Sequence, residues 1–262
     1  LQDVAVARFP VTTVSEAEIL VDKTINYATN ANAGAWQNTL MFMGDDGNDN
    51  KHMMDANEVA DDVSTLYPAY LVKKVMWDAY PRETSSTGNT YPEVSDIIKR
   101  QQSNGALVMD YAGHGSNTQL SHEAVLKLSD FENFHNTNLP LWVTASCDIM
   151  PFDGVNATIG ESALLNANGG AVAFYGTTRT VYAQQNKYIN RAFMRRVLSM
   201  VDGKPITIGE AHRLAQNDVM TGAVNSAETD VTVNHLQYSL LGDPALALNL
   251  PMQQVVVDSI NG

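Results

Sequence analysis

Short apolar runs cut off by small or turn-forming residues recur along this chain, with segments of helical period between them. The runs are NTLMFMGDD at 38–46, YLVKKVMW at 70–77, Ala106 to Tyr111, LPLWVTASCD at 139–148 and AVAFYG at 171–176. Strands without polar alternation belong to sheets covered on both faces, and strand–helix alternation belongs to sheets that are mostly parallel. The expected fold class is therefore α/β: a mostly parallel sheet with helices on both faces. Ligands of such sheets sit at the carboxyl ends of the strands.

The intervening segments carry helix signals. Ser15 with Glu18 reads as a capping box, and Ala17, Leu20, Val21, Thr24, Ile25 and Ala28 follow at helical spacing. Further helices are expected from about Met53 to Leu66, Gln184 to Met200 and Thr207 to Asp218, the last with Thr207 and Glu210 as a box, and over 159–170 with a glycine stop. Pro92 and Gly105 bracket another. VAVARFP at 4–10 reads as a strand, and 235–251 as a strand pair around a Gly-Asp-Pro turn. Residues 1–250 then form one domain. The stretch 251–262, which contains VVVDSING, reads as a linker or the first strand of a following β domain, and a start at Leu1 reads as that of a fragment.

A net charge of −13 disfavours a phosphate-binding surface, so no nucleic-acid partner is expected. Cys147 is the only cysteine, which rules out an internal disulfide framework and a thiolate zinc site. The acidic loop GDDGNDN, with Asp45, Asp46 and Asp49, misses the calcium-loop spacing because Ala56 stands where a glutamate is needed. It reads as a solvated turn. His52, His122, His135, His212 and His235 show no metal-ligand spacing, although His122 is close enough in sequence to His114 to border a cleft there. No metal or cofactor is expected.

Two strands deliver reactive side chains. The run ending at Tyr111 leads to His114 between Gly113 and Gly115, and the run ending at Ala145 leads to Cys147. In a parallel sheet both emerge at one edge, and if the strands are neighbours an imidazole can activate the thiol for attack on a carbonyl. The backbone N–H groups of Gly115 and Cys147 can then serve as an oxyanion hole. Taken singly, a lone cysteine is commonly an inert small hydrophobe, and the two glycines can simply permit a turn. The joint pattern, in which each residue closes an apolar strand, favours chemistry.

These blocks, DYAGHGS and LPLWVTASCDIMPFD, resemble the caspase-like clan of cysteine peptidases, and more narrowly the gingipain family, peptidase family C25, in its branch of type IX secretion system sortases. ARFPVTTVSEAEILVDKTINY, GDDGNDNKHMMDANEVAD and YSLLGDPALAL extend the resemblance over nearly the whole chain. It implies a caspase-like fold with Cys147 as nucleophile, His114 as general base and acid, and Gly115 with the Cys147 amide as oxyanion hole. The family's acidic residue that orients the histidine is replaced at the matching position by Asn57, with Asp55 and Glu58 close by. An amide can orient an imidazole, and Asn57 can equally be surface helix. The substrate pocket is expected around Thr177, Thr178 and Tyr182, with Asp148 beside the nucleophile. YGTTRTVYAQQN at 175–186 has no carboxylate of the kind that peptidases cutting after basic residues use.

The sortase branch implies removal of a C-terminal signal domain from secreted cargo through a thioester acyl-enzyme. The acyl group would pass to a surface lipopolysaccide amine or to water. The implied partners are signal-bearing secreted proteins, the lipopolysaccide amine and other type IX outer-membrane components, at the outer face of the cell. The alternatives are a secreted gingipain-like endopeptidase and an inactive cargo-binding scaffold.

Overall fold

In the computed structural model, which describes residues 1–86, 88–223, 226–252 and 259, six strands form one sheet. They are β1 (Thr39–Gly44), β2 (Leu71–Met76), β3 (Val108–Ala112), β4 (Leu141–Ala145), β5 (Ala173–Thr177) and β6 (Tyr238–Leu241). Their order is β6-β5-β4-β3-β1-β2. The first five run parallel, and β6 is antiparallel to β5 at one edge. Every residue of β1, β3, β4 and β5 is buried.

Helices cover both faces, which explains the unbroken apolar strands. One face packs Met41, Met43, Met109, Trp142 and Phe174 with side chains of α1 (Val14–Ala28), α3 (Pro92–Asn104), α4 (Leu128–Asn133) and α5 (Ile159–Leu165). The other packs Leu40, Phe42, Val108, Val143 and Tyr175 with α2 (Lys51–Leu66), α6 (Ala183–Val197) and α7 (Ile208–Thr221). Burial of each large apolar side chain contributes about 1.5–3 kcal/mol, so this two-sided core holds the strand ends in fixed register.

The structure departs from the sequence reading in five places. Residues 4–10 form no strand: only Arg8 bridges Leu241, and Val4 and Val6 face solvent because no neighbouring strand lies alongside to use their alternation. The α1 box is Thr13 with Glu16, not Ser15 with Glu18. Thr13 Oγ1 accepts from the Glu16 N–H at 3.2 Å, and the Glu16 carboxylate takes the N–H groups of Thr12 and Thr13 at 2.7 and 2.9 Å. Both registers satisfy the motif, and the earlier one wins because Glu16 satisfies an additional amide. At α7 only half the box forms: Thr207 caps, while Glu210 turns to Arg213. α6 stops at Val197, and Met200–Val201 pairs with Lys204–Pro205 as a hairpin instead. After β6, Ala247 bridges Thr207, at the start of α7, and among the described residues the Gly-Asp-Pro turn is followed by no second strand. Pro251, Met252 and Ser259 are the only described residues of the expected linker or β-domain start; 253–258 and 260–262 lie outside the described residues.

Candidate active site

β3 and β4 are adjacent, with Ala112 opposite Ala145. The pairing continues one step further through the Gly113 N–H, which donates to the Ala145 carbonyl at 3.3 Å. His114 and Cys147 therefore lie at equivalent places, each two residues beyond its strand, at the carboxyl edge. The two loops touch: a Cβ on Gly115 would lie 2.4 Å from Ser146 Oγ and 2.5 Å from Ile149 Cδ1, so a larger residue would have to displace these side chains. Among the described residues, neither the Gly115 nor the Cys147 N–H donates to a protein acceptor. Both remain free to bind an oxyanion.

Asp45 organises the histidine side. It follows β1, the neighbour of β3, and its N–H continues the ladder by donating to the Ala112 carbonyl at 3.3 Å. Its carboxylate is buried and accepts the His114 N–H at 2.7 Å, the Gly47 N–H at 3.2 Å and His52 Nδ1 in a short bond. Asn48 Nδ2, 2.9 Å from His52 Nε2, fits the tautomer with the proton on Nδ1. Tyr111 Oη lies 2.7 Å from the His114 carbonyl oxygen and 3.1 Å from Asp45 Oδ2. Burial pushes the Asp45 carboxyl up, but the bond to His52 and the two amides outweigh it and hold it below the ordinary range. For His114, burial and the neighbouring His52 and His122 outweigh Asp45 and lower the imidazole pKa. Its neutral form is favoured, as a general base requires.

The loop GDDGNDN is a turn, solvent-exposed over Asn48, Asp49 and Asn50 as expected, but its first carboxylate, Asp45, is buried. Asn48, Asp49 and Asn50 all adopt positive φ (53°, 53° and 65°), a left-handed turn that Asn and Asp tolerate best. Asp46 accepts from Tyr91 Oη at 2.7 Å, and Asp45 is the buried carboxylate just described. The loop's composition thus serves backbone conformation and the histidine.

Asn57 does not reach His114. Its Oδ1 accepts from Lys74 Nζ at 2.8 Å and its Nδ2 donates to Asp61 at 2.9 Å. Asp55 is paired with Lys51 and Lys187, and Glu58 with Lys187 and Arg191. Sequence reasoning passed over the roles of Asp45 and His52; it placed His122 near His114, and the structure stacks the two rings. The available signal was position: a carboxylate directly after the strand next to the histidine's strand, and a histidine two turns of chain later.

On the cysteine side, Cys147 is half-buried, with Sγ 3.6 Å from the Val181 carbonyl oxygen. Its loop runs along 177–181 through Asp148 N–H to Arg179 O at 3.3 Å and Met150 N–H to Thr177 O at 3.0 Å. Asp148, beside the candidate nucleophile, has φ of 49°, the left-handed backbone that Asp tolerates better than most residues. Thr177 is fully buried, its hydroxyl bonded to the Ser146 carbonyl, and Thr178 is tied through N and Oγ1 to Gln237 O. Both shape the loop from behind. Asp148 accepts from Thr180 Oγ1 at 2.8 Å, and it lies at the surface with Tyr182, 70% exposed, and the exposed Arg179–Asp153 pair.

A family model described as peptidase family C25 matches residues 1–249. No curated protein matches the chain in sequence. Among solved structures, the Arg-specific cysteine proteinase gingipain R (RgpB) is similar at TM-score 0.72 and 15% identity, over 95% of this chain and 56% of that one. The complex of Porphyromonas gingivalis RgpB pro- and mature domains gives 0.71 and 15%, over 97% and 58%. A chain of the Saccharomyces cerevisiae separase–securin complex gives 0.51 and 11%, over 86% and 13%. The chain spans less than two thirds of each of these, and the likeness establishes a gingipain-like, caspase-type fold. Since the family model covers nearly its whole length, the chain belongs to peptidase family C25, the gingipain family.

Proposed function

We propose that this protein is a cysteine peptidase acting through a Cys147–His114 dyad, and that it serves as a transpeptidase on type IX secreted cargo. The observation that carries the dyad is the continued β3–β4 pairing, which brings the two loops together at one edge. His114 takes the thiol proton as Sγ attacks the scissile carbonyl, and the oxyanion forms toward the Gly115 and Cys147 N–H groups. Collapse expels the amine with that proton and leaves a thioester. An incoming amine or water then attacks the thioester, passes a proton through His114 and releases the thiol.

The resemblance of the sequence blocks to the type IX sortase branch supports the finer reading, as does the segment after β5, where Thr180, Tyr182 and an Arg179–Asp153 pair stand in place of a free buried acid. On this reading the donors are secreted proteins with C-terminal signal domains, and the acceptor is a lipopolysaccide amine. Other type IX outer-membrane components are its neighbours at the cell surface.

The test offers a panel of peptidyl thioesters to the protein with and without an amino sugar, and weighs the products. An amide product supports the transpeptidase. The free acid alone, at a rate indifferent to amine, identifies a gingipain-like endopeptidase. If no acyl-enzyme forms and Cys147 resists peptidyl electrophiles, the protein is a cargo-binding scaffold and the mechanism is withdrawn.

A further inference from the structure

The His114 ring is held in an unusual way. Among the described residues no carboxylate or amide bonds to either ring nitrogen; Asp45 instead binds the residue's backbone N–H. The ring is caged by packing. His52 meets it edge-on with centroids 4.8 Å apart, and His122 stacks on it at 4.2 Å and 11°. Gly47 lies against its edge, where a Cβ would come 2.5 Å from Cδ2 and 2.8 Å from Nε2.

His122 is exposed, and solvation alone gives it no reason to lie on another imidazole. The hairpin formed by Gln119–Leu120 and Leu126–Lys127 puts it there. Two non-glycine residues flanking it adopt left-handed backbone, Ser121 at φ 65° and Ala124 at φ 50°. For alanine that conformation carries a real cost. The same turn is bound to the histidine's own loop, since the Ser121 N–H donates to the His114 carbonyl at 2.8 Å and Gly115 bridges Leu120. The Glu123 N–H donates to Ser121 Oγ at 3.1 Å, closing the turn. A strained turn anchored to the base thus presents a flat ring to its open face.

We propose that His122 is a positioning residue for this enzyme: its stacked ring takes the place of a third, hydrogen-bonding member and fixes the plane in which His114 meets Cys147. The inference rests on the dyad reading above. His122 also covers one face of His114 from water, and as a cation it opposes a second positive charge beside it. Of the other groups facing His114, His52 acts in the same direction as His122, while the carboxylates of Asp45 and Glu123 pull the other way. Loss of His122 therefore stabilises the protonated His114, and the acid limb of the dyad moves to higher pH.

The experiment measures alkylation of Cys147 by iodoacetamide between pH 5 and 9, scored by intact mass, for the native protein, His114→Ala, His122→Ala and His122→Phe. Thermal melts confirm folding, which the exposed position of His122 favours. His122→Ala should slow labelling at neutral pH by about tenfold and raise the acid limb, the scale of a misplaced acid–base group. His122→Phe restores a plate without a proton site and should recover most of that rate. Labelling of His122→Ala within twofold of native at every pH, or no recovery with phenylalanine, overturns the proposal while leaving the dyad in place. Labelling of native protein that does not depend on His114 overturns both.

Discussion

Asp45, just past the end of β1, and Asp110, within the neighbouring β3, are two buried carboxyl groups whose protonation is driven in opposite directions. Asp45 stands just beyond β1, where three N–H donors converge on it. Asp110 lies in the middle of β3, where Asn190 Nδ2 donates to Oδ1 at 3.0 Å and Oδ2 has no partner among the described residues. Desolvation acts on both. At Asp45 it is outweighed and the carboxyl stays ionised, whereas at Asp110 it wins and pushes the pKa up to about 7. Burial thus sets the cost of a charge, and the number of donors decides whether it is carried. The edge of the sheet, where backbone amides run out of strand partners, is where a carboxylate can be held ionised next to an imidazole.

Removing the donor match at Asp45 should have the largest effect. Asp45→Asn keeps the shape but points an amide toward the N–H groups of His114 and Gly47. We expect a loss of about 3–5 kcal/mol of stability, the scale for breaking a buried charged network, and a drop of about 100-fold in Cys147 alkylation as His114 shifts. Urea denaturation and labelling kinetics measure the two. The Asp45 contribution is also pH-dependent. With the folded pKa below the unfolded one, it is fully present above the unfolded carboxyl pKa and is lost as the pH falls through the folded value. A variant as stable and as reactive as native would mean that other groups hold His114.

Asp110 gives the converse, smaller effect. Its folded pKa of about 7 exceeds the unfolded 3.8, so the folded state holds more protons across that window and this group's contribution to stability falls as pH rises through it. Asp110→Asn removes the titration, and its amide can donate to Asn190 Oδ1, which also lacks a partner among the described residues. The variant should equal or exceed native stability at pH 8, by at most about 4 kcal/mol at 1.36 kcal/mol per pKa unit. The gain should shrink toward pH 4. A gain independent of pH would show that Asp110 does not carry the proton, and the contrast with Asp45 would fail.

What the sequence made legible follows the same division. The apolar strands, the helices between them and the placement of His114 and Cys147 beyond adjacent strands are local patterns joined by one topological rule. They could be read because burial on two faces leaves no alternative composition. The cage around His114 could not, since it joins residues after β1, on α2 and in the 119–127 hairpin, and only strand order says that the first of these is a neighbour. The acidic loop was legible as a turn, whose Asn and Asp residues suit left-handed backbone, but the burial of Asp45 at its start was not, since that depends on the neighbouring strand. The pocket threonines were placed by proximity in sequence. Thr177 closes a strand buried on both faces, so its side chain is fully buried and bonded to the Ser146 carbonyl.

Asn57 makes the sharpest small test, because it lies on the same helix as His52 and on the position that resemblance assigns to the orienting residue. Among the described residues its amide bonds Lys74, on β2, and Asp61, one turn on along α2. Asn57→Ala removes two partly exposed hydrogen bonds and should cost no more than about 0.5 kcal/mol, as surface substitutions away from special features do. The rate and the pH profile of Cys147 alkylation should stay within twofold of native. The double variant with His122→Ala should show no coupling, since the two residues share no partner. A tenfold loss from Asn57→Ala alone would mean that α2 turns in solution to bring the amide onto His114. Asp45 would then be a purely structural carboxylate, and the comparison with Asp110 would concern folding and not the active site.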